Sequence, residues 1–193
     1  MTICRIRVER DTPESGRFEW ATLGDRGEVL ASGAAELDHS PVRGACEVVL
    51  ASDLVMLDRV AAPAAQQRRL ASSLRFLAED TAISEPERLH VTATSASKDS
   101  ICLAVMDRQW LGELLSRLES AGLIPQCIYP ECLLPALAPH SWTVVWTGSD
   151  GYARTGEAEG LSLDATDGES PPVALQLALQ GARKAGTGPL GIV

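Results

Sequence analysis

Aromatic residues, lysines and histidines are all scarce in this sequence of 193 residues. Aromatic side chains make up 4% of the chain, and Lys98 and Lys184 are its only lysines. The formal net charge of -9 would repel a phosphate backbone, which argues against nucleic acid as a partner. The three histidines lie in no motif that would activate a serine or cysteine nucleophile, and catalysis is not visible in the sequence.

Long apolar runs and cysteine motifs are also missing. The longest uninterrupted apolar run, 101–106, is far shorter than the ~20 residues of a membrane helix, and the first residues lack the apolar core of a signal peptide. We therefore expect this chain itself to be neither inserted in a membrane nor exported. Its five cysteines include no Cys-x-x-Cys pair, and their apolar neighbours indicate buried thiols in a reducing compartment.

The hydrophobic pattern predicts an α/β chain with α+β elements. With 45% hydrophobic and 22% charged residues, the composition is that of a folded protein. Alternation of apolar residues predicts a strand at 2–9, strands at 18–23 and 28–32 follow around a tight turn, and the short apolar run 46–50 predicts a strand that is buried on both faces. A strand at 54–60, a helix at 64–80, strands at 89–94 and 101–106, a helix between Asp107 and Gly122 and a strand at 126–129 then follow the order β-α-β-β-α-β. This order predicts a ferredoxin-like unit over 53–130, with both helices on one face of a four-stranded sheet.

The last third of the chain returns to a meander. We predict strands at 142–147, 152–157 and 161–163 and a helix at 173–183, and we expect the glycine-rich segment 185–193 to close no further strand. Two meander-plus-helix modules with a βαββαβ insertion form an arrangement that resembles the actin-like, ribonuclease H-like superfamily. The predicted domains are a first module at 1–52 that continues at 131–140, the insertion at 53–130, and an incomplete second module at 141–193.

Candidate cofactor sites are weak. Residues 186–191 match G-x-G-x-x-G, but they follow a helix rather than a strand and Pro189 removes one N–H donor. Cys127, Cys132 and His140 could gather around zinc, although their spacing fits no standard finger. The sequence therefore predicts no catalytic, cofactor-binding or metal-binding residues, and no cofactor.

Short segments in a characteristic order nevertheless resemble one family. The chain is similar over nearly its whole length to the cytoplasmic part of protein L of the bacterial type II secretion system, the GspL family, and the matching segments are Trp20 with 27–33, 52–57, 75–80, 87–91, 104–111, 121–123, 130–135, 142–145 and 152–156. The resemblance implies a non-catalytic platform that recruits the secretion ATPase to the inner membrane. It also implies that the chain is the cytoplasmic domain of a single-pass inner-membrane protein.

The partners that this resemblance implies are the N-terminal domain of the secretion ATPase (GspE), the platform proteins GspM and GspF, and a second copy of the chain. The alternative is an actin-like ATPase or a nucleotide-binding protein of the pilus-assembly or cell-division type. The phosphate-binding turns of such ATPases are not kept here, because Glu9 and Asp11 follow the first strand and the second turn reads 147–151, TGSDG. We expect no ATPase activity and no bound nucleotide.

A cluster of arginines is the candidate docking surface. Arg68 and Arg75 are seven positions apart, two helical turns, so they share one face of the predicted helix, and Arg69 lies beside Arg68. Solvated arginines with local partners such as Glu79 are the alternative interpretation. Arginine is favoured at protein interfaces because its guanidinium pairs with carboxylates in two-bond geometry. We therefore predict that Arg68, Arg69 and Arg75 bind an acidic stretch of the ATPase.

Overall fold

The fold is taken from a computed structural model that describes residues 2–62, 74–78, 85–97, 99–148, 150–166, 170–189 and 191–193. The strands are β1 (Ile3–Val8), β2 (Arg17–Leu23), β3 (Val29–Glu36), β4 (Gly44–Leu50), β5 (Met56–Ala61), β6 (Leu89–Ser97), β7 (Ser100–Asp107), β8 (Leu123–Pro130), β9 (Ser141–Trp146), β10 (Gly151–Arg154), β11 (Gly160–Leu163) and β12 (Gly191–Ile192). The α-helices are α1 (Thr12–Ser15), α2 (Leu74–Leu77), α3 (Arg108–Ser120) and α4 (Val173–Lys184). Most of the helix predicted at 64–80 lies outside the described residues.

The chain divides into two compact units. The first is drawn from Met1–Val55, Ile83–His90 and Met106–Glu131, and the second from Met56–Ala82, Val91–Val105 and Cys132–Val193. Each unit therefore combines three separate stretches of the sequence.

A five-stranded sheet in the order β3-β2-β1-β4-β8 forms the first unit. β1 and β3 each pair antiparallel with β2, and the hairpin turn between β2 and β3 contains Gly27, which has a φ of 79°. β4 lies parallel to β1, and β8 lies parallel to β4. β4 carries buried Cys46, Val48, Val49 and Leu50, as expected of a central strand in parallel pairing.

Helix α3 packs in the first unit through one apolar face. Its buried residues Leu111, Leu114 and Leu118 follow helical spacing. The helix begins at the predicted N-cap, where the Asp107 carboxylate accepts the N–H of Trp110 at 2.9 Å. It ends just before Gly122, whose φ of 76° is a backbone conformation that favours glycine.

The four-stranded ferredoxin-like sheet predicted over 53–130 is wrong in its last strand. β5, β7 and β6 do form a sheet in that order, but β8 pairs with β4 in the five-stranded sheet, where Glu47 lies beside Cys127 and Leu50 beside Pro130. The sequence order βαββαβ is compatible with β8 in the sheet of β5, β7 and β6 or in the five-stranded sheet. Local periodicity identifies a strand, but it does not show which strand it pairs with. In other respects the domain limits 1–52, 53–130 and 141–193 stay predictions.

The hairpin of β6 and β7 is longer than predicted. β6 extends to Ser97 and β7 begins at Ser100, whereas the predicted strands end at residue 94 and begin at residue 101. A run of polar residues can form a strand, but it contains no alternation of apolar residues from which a strand could be predicted.

A four-stranded sheet in the order β11-β10-β9-β12 lies in the second unit. Trp142, Ala153, Leu163 and Leu175 form its core. The expectation that 185–193 closes no strand is wrong, because β12 pairs parallel to β9 and the N–H of Val193 donates to the carbonyl of Trp142 at 2.9 Å. The order of the four strands repeats the order β3-β2-β1-β4 of the first sheet. β9 is parallel to β12, as β1 is parallel to β4.

Helix α4 receives its N-terminal cap from a distant residue. The Asp164 carboxylate, just after β11, accepts the N–H groups of Ala174 at 2.8 Å and Val173 at 3.1 Å. These backbone hydrogen bonds, that of Ala174 above all, lower the pKa of Asp164. Pro172 stands at the N-cap position and offers no side-chain acceptor, so the tertiary contact satisfies donors that the local sequence leaves open.

Candidate functional site

The predicted arginine patch falls largely outside the described residues. Arg68 and Arg69 lie outside them altogether. Arg75 is in the short helix α2, but its side chain is outside the described part. The patch therefore stays a prediction. The turn after β1 lies within the described residues, as does the turn after β9 except for residue 149, and these are the two turns where an actin-like ATPase would hold phosphates.

The turn after β1 is built around a buried threonine. Thr12 is fully buried, and its hydroxyl accepts the N–H of Glu9 at 2.9 Å and donates to the carbonyl of Arg17 at 2.8 Å. The backbone N–H groups of Glu14 and Ser15 donate to the carbonyl of Asp11. The N–H groups of Glu9, Glu14 and Ser15 therefore donate to acceptors within the turn. They are not an array of free donors of the kind that a phosphate needs.

Arg10 and Trp110 hold this turn against its neighbours in the first unit. The Arg10 guanidinium donates to the carbonyl of Asp53 at 2.9 Å and to its carboxylate at 3.1 and 3.3 Å. The indole N–H of Trp110, in the first turn of α3, donates to the carbonyl of Arg10 at 2.8 Å. The loop is thus bound to the segment after β4 and to the start of α3.

Ion pairs continue this polar network onto the adjacent face of the sheet. Arg7 donates to Glu131 at 2.6 Å and to Glu9 at 2.6 Å, and Arg5 donates to Glu47 at 2.6 Å. Burial lowers the pKa of Arg7, but the hydrogen bonds with Glu131 and Glu9 outweigh it and raise the pKa above its ordinary value. Its positive charge is therefore engaged by protein carboxylates.

The turn after β9 is also closed by internal hydrogen bonds. The N–H of Thr147 donates to the carbonyl of Asp150 at 2.9 Å. The Thr147 hydroxyl donates to that carbonyl at 3.0 Å and to the Asp150 carboxylate. The carboxylate that could hold a cation in an ATPase thus accepts a hydrogen bond from a residue three positions before it.

The other cofactor candidates do not form sites in the described part of the chain. No group of three histidine, cysteine, aspartate or glutamate side chains there is placed to hold a metal ion, and this covers Cys127, Cys132 and His140. In the glycine motif, Gly186 has a φ of 70° and the N–H of Thr187 donates back to the carbonyl of Ala182 at 2.9 Å. The motif is therefore the C-terminal cap of α4, followed by β12.

The described cysteines behave as buried thiols where they lie in the core. Burial, together with neighbouring Cys4, raises the pKa of Cys46 to about 11, and burial also raises the pKa of Cys4 and of Cys102. Raised pKa values keep these thiols protonated and unreactive at neutral pH. Cys127 differs because it is exposed.

One polar residue of structural importance was missed in the sequence. Arg154, on β10, donates to the carbonyls of Leu133 at 2.8 Å, Pro135 at 2.7 Å, Glu157 at 3.0 Å and Gly156 at 3.1 Å. Within the second unit, the arginine thus attaches the 133–135 segment to β10. Arg154 ends β10 and is followed by Thr155, Gly156 and Glu157, so no local pattern in the sequence marks it.

Comparison with known families assigns this chain to one of them. Residues 8–178 match the family described as "Type II secretion system (T2SS), protein L". The chain belongs to this family. Among curated members, protein L of Vibrio cholerae is 24% identical over 168 residues, covering 83% of this chain and 41% of that protein. Protein L of Klebsiella pneumoniae is 28% identical over 162 residues, with 84% and 38% covered.

Solved structures confirm the fold class predicted from the sequence. The cytoplasmic domain of EpsL, an inner membrane component of the type II secretion system of Vibrio cholerae, aligns with a TM-score of 0.74 and 20% identity over 89% of this chain and 80% of that one. A chain of the PilM-PilN type IV pilus biogenesis complex aligns with a TM-score of 0.58 and 15% identity, covering 94% and 65%. The mixed α/β, actin-like fold of this chain is therefore the fold of the EpsL cytoplasmic domain.

The match covers only part of the length of the curated protein L relatives. The chain spans about two fifths of the length of these curated relatives. Among the described residues, the helices are all too short or too polar to cross a membrane. The family name establishes a component of the type II secretion system, and the relatives carry the name of a system component rather than that of an enzyme.

Proposed function

We propose that this chain is the non-catalytic cytoplasmic platform of a type II secretion system and recruits the secretion ATPase to the inner membrane. The match to protein L over residues 8–178 carries this proposal. The ATPase would bind through its N-terminal domain, and the inner-membrane proteins GspM and GspF would be the other partners. The chain would accordingly lie on the cytoplasmic side of the inner membrane, as part of a single-pass protein.

The non-catalytic part of the proposal is supported by the internal hydrogen bonds of the turns after β1 and after β9, where an ATPase of this fold would hold phosphates. Thr12 and Thr147 use their hydroxyl groups within the chain, and Glu9, Asp11 and Asp150 place negative charge where phosphates would lie. We expect no ATP hydrolysis and no rise in melting temperature with Mg-ATP. For comparison, a ligand at 100 times its Kd stabilises a protein by about 2.7 kcal/mol. Turnover that disappears in Asp11→Ala or Asp150→Ala would instead favour the ATPase alternative.

The docking surface that we propose for the ATPase remains the Arg68, Arg69 and Arg75 cluster. An acidic protein with few lysines has few places that attract a carboxylate-rich segment, and arginine on a helix face is suited to that task. Charged residues at the rim of an interface act mainly on the association rate and are screened by salt. The proposal therefore predicts a salt-dependent interaction.

The double variant Arg68→Glu with Arg69→Glu tests this surface. We expect its affinity for the isolated N-terminal domain of the ATPase to fall about ten-fold at low salt, with less loss at high salt and little change in melting temperature. The matched control is Arg108→Glu with Arg183→Glu, which makes the same change in net charge at two exposed helix positions. Binding is measured by titration calorimetry at two salt concentrations.

The possible results test the docking surface and ATPase recruitment separately. Equal affinity for the patch variant and the control would reject this docking surface while leaving ATPase recruitment in place. Absence of binding by the unmodified chain would reject recruitment itself. Equal losses in both variants would indicate attraction by overall charge rather than a specific surface.

A further inference from the structure

The two faces of the five-stranded sheet differ in burial. Along β1, Ile6 and Val8 are buried, whereas Ile3 is exposed and Arg5 and Arg7 are half-buried. Successive side chains of a strand point to opposite faces, so these two sets of residues lie on opposite faces of the sheet. The face that carries Ile3, Arg5 and Arg7 is called the open face.

The middle of the open face is apolar around one ion pair. Arg5 lies beside Glu47 of β4, and Glu47 lies beside Cys127 of β8. The Arg5 guanidinium donates to the Glu47 carboxylate at 2.6 Å, so the charges of this pair cancel. Exposed apolar residues of the same face lie on either side of this row: Ile3, Ala45, Ile124 and Tyr129.

The end of the open face at the carboxyl ends of β1 and β8 is acidic. Three carboxylates surround the Arg7 guanidinium, those of Glu9 and Glu131 at 2.6 Å and that of Glu19 at 3.4 Å. Three negative charges and one positive charge leave two negative charges at this acidic end. The side chains of Glu9 and Glu19 are largely exposed, so their charge is available to a partner.

This combination restricts the chemistry of what binds there. β1, β4 and β8 are parallel neighbours, and parallel strands normally have both faces covered, most often by helices. Exposed apolar side chains beside a charged rim are typical of an interaction surface. The carboxylates of the acidic end would repel an acidic segment or an anionic lipid surface, and they would attract lysine and arginine.

We propose that the open face binds a basic amphipathic helix from the cytoplasmic segment next to a membrane helix of an inner-membrane partner. This inference rests on the proposed function, because it requires the chain to lie on the cytoplasmic side of the inner membrane. Cytoplasmic segments that flank membrane helices carry an excess of lysine and arginine. The apolar side of the partner helix lies over Ile3, Ile124 and Tyr129, and its basic residues lie at Glu9 and Glu19.

Synthetic peptides test the chemistry of the partner. The probe is a helical peptide of about 18 residues, five turns, with leucine on one face and lysine on the other. Its counterpart carries glutamate in place of every lysine. In fluorescence anisotropy at low salt, we expect the lysine peptide to bind at least about ten-fold more tightly, with a smaller difference at high salt. Equal affinities, or no binding of the lysine peptide, would overturn the proposal.

The variant Ile124→Lys tests where the lysine peptide binds. Ile124 is exposed at 57% of its full accessible surface, and Leu177 of α4 is exposed at 62%. Leu177→Lys is therefore the matched control, with the same change in charge and a similar loss of apolar surface. We expect Ile124→Lys to weaken peptide binding about ten-fold and Leu177→Lys to weaken it less than about two-fold. Equal losses would indicate attraction by overall charge and would reject the open face.

Alkylation of Cys127 locates the contact without a substitution. The Cys127 thiol is exposed, whereas Cys46, Cys102 and Cys132 are buried. We expect its reaction with iodoacetamide, followed by mass spectrometry, to slow several-fold when the lysine peptide saturates the chain. An unchanged rate at saturation would place the peptide on another surface and would contradict the proposal.

Binding of the N-terminal domain of the ATPase separates this inference from the proposed function. We expect Ile124→Lys to bind that domain as tightly as the unmodified chain. A loss of this binding would assign the open face to the ATPase and reject a membrane-flanking segment as its occupant. Failure of the lysine peptide to bind, with ATPase binding intact, would reject this inference alone. Self-association that Ile124→Lys abolishes would assign the face to a second copy instead.

Discussion

Replacing Arg154 with methionine is expected to lower the free energy of unfolding by about 3 kcal/mol. Its guanidinium donates to four carbonyl oxygens, those of Leu133, Pro135, Gly156 and Glu157. Hydrogen bonds from a charged donor stabilise by about 1.5–3 kcal/mol each when buried, and the loss is smaller at the more exposed carbonyls. Urea denaturation followed by circular dichroism measures the change.

Arg154→Lys is the matched control for this substitution. Lysine keeps the positive charge, but its single ammonium group cannot reproduce the planar arrangement that reaches both the 133–135 segment and residues 156–157. We expect about half of the loss to remain. A lysine variant as stable as the unmodified chain would show that charge alone matters and would contradict the geometric explanation.

Replacing Thr12 with valine is expected to destabilise the chain by about 2–3 kcal/mol without changing the volume of the side chain. The substitution leaves the N–H of Glu9 and the carbonyl of Arg17 without their partner in a site that is fully buried. Thermal and urea denaturation both measure the effect.

Thr12→Ser is the control, because serine keeps the hydroxyl and loses only a methyl group. We expect it to cost about 1 kcal/mol. If valine proved as stable as serine, the hydrogen bonds of Thr12 would contribute little and the turn would be held by the Arg10 and Trp110 contacts instead.

Helix α3 and the second meander were accessible from the sequence because local signals specify them. Asp107 and Gly122 mark the two ends of α3, and the leucines between them follow one helical face. In the meander, alternation of apolar residues and a glycine-containing turn predicted strands at 142–147 and 152–157. The observed strands are β9 at Ser141–Trp146 and β10 at Gly151–Arg154. The resemblance to protein L, built on short segments in order, is confirmed by the match over residues 8–178.

Strand pairing across distance was decided by the tertiary structure. The same apolar run at β8 suits a fourth strand beside β5 or a fifth strand beside β4, and only the structure shows the latter. The pairing of β12 with β9 was missed because a two-residue strand rich in glycine has no periodicity.

The sequence by itself determined the fold class, the family and most of the helix and strand positions, because these depend on residue order and on periods of two or 3.6 residues. The tertiary structure alone decided which strands are neighbours, that Asp164 caps a helix nine residues later, and that the hydroxyls of Thr12 and Thr147 close the two turns. These features depend on hydrogen bonds between groups that the folded backbone brings together. Such groups are satisfied only after folding, so no local pattern records their partners.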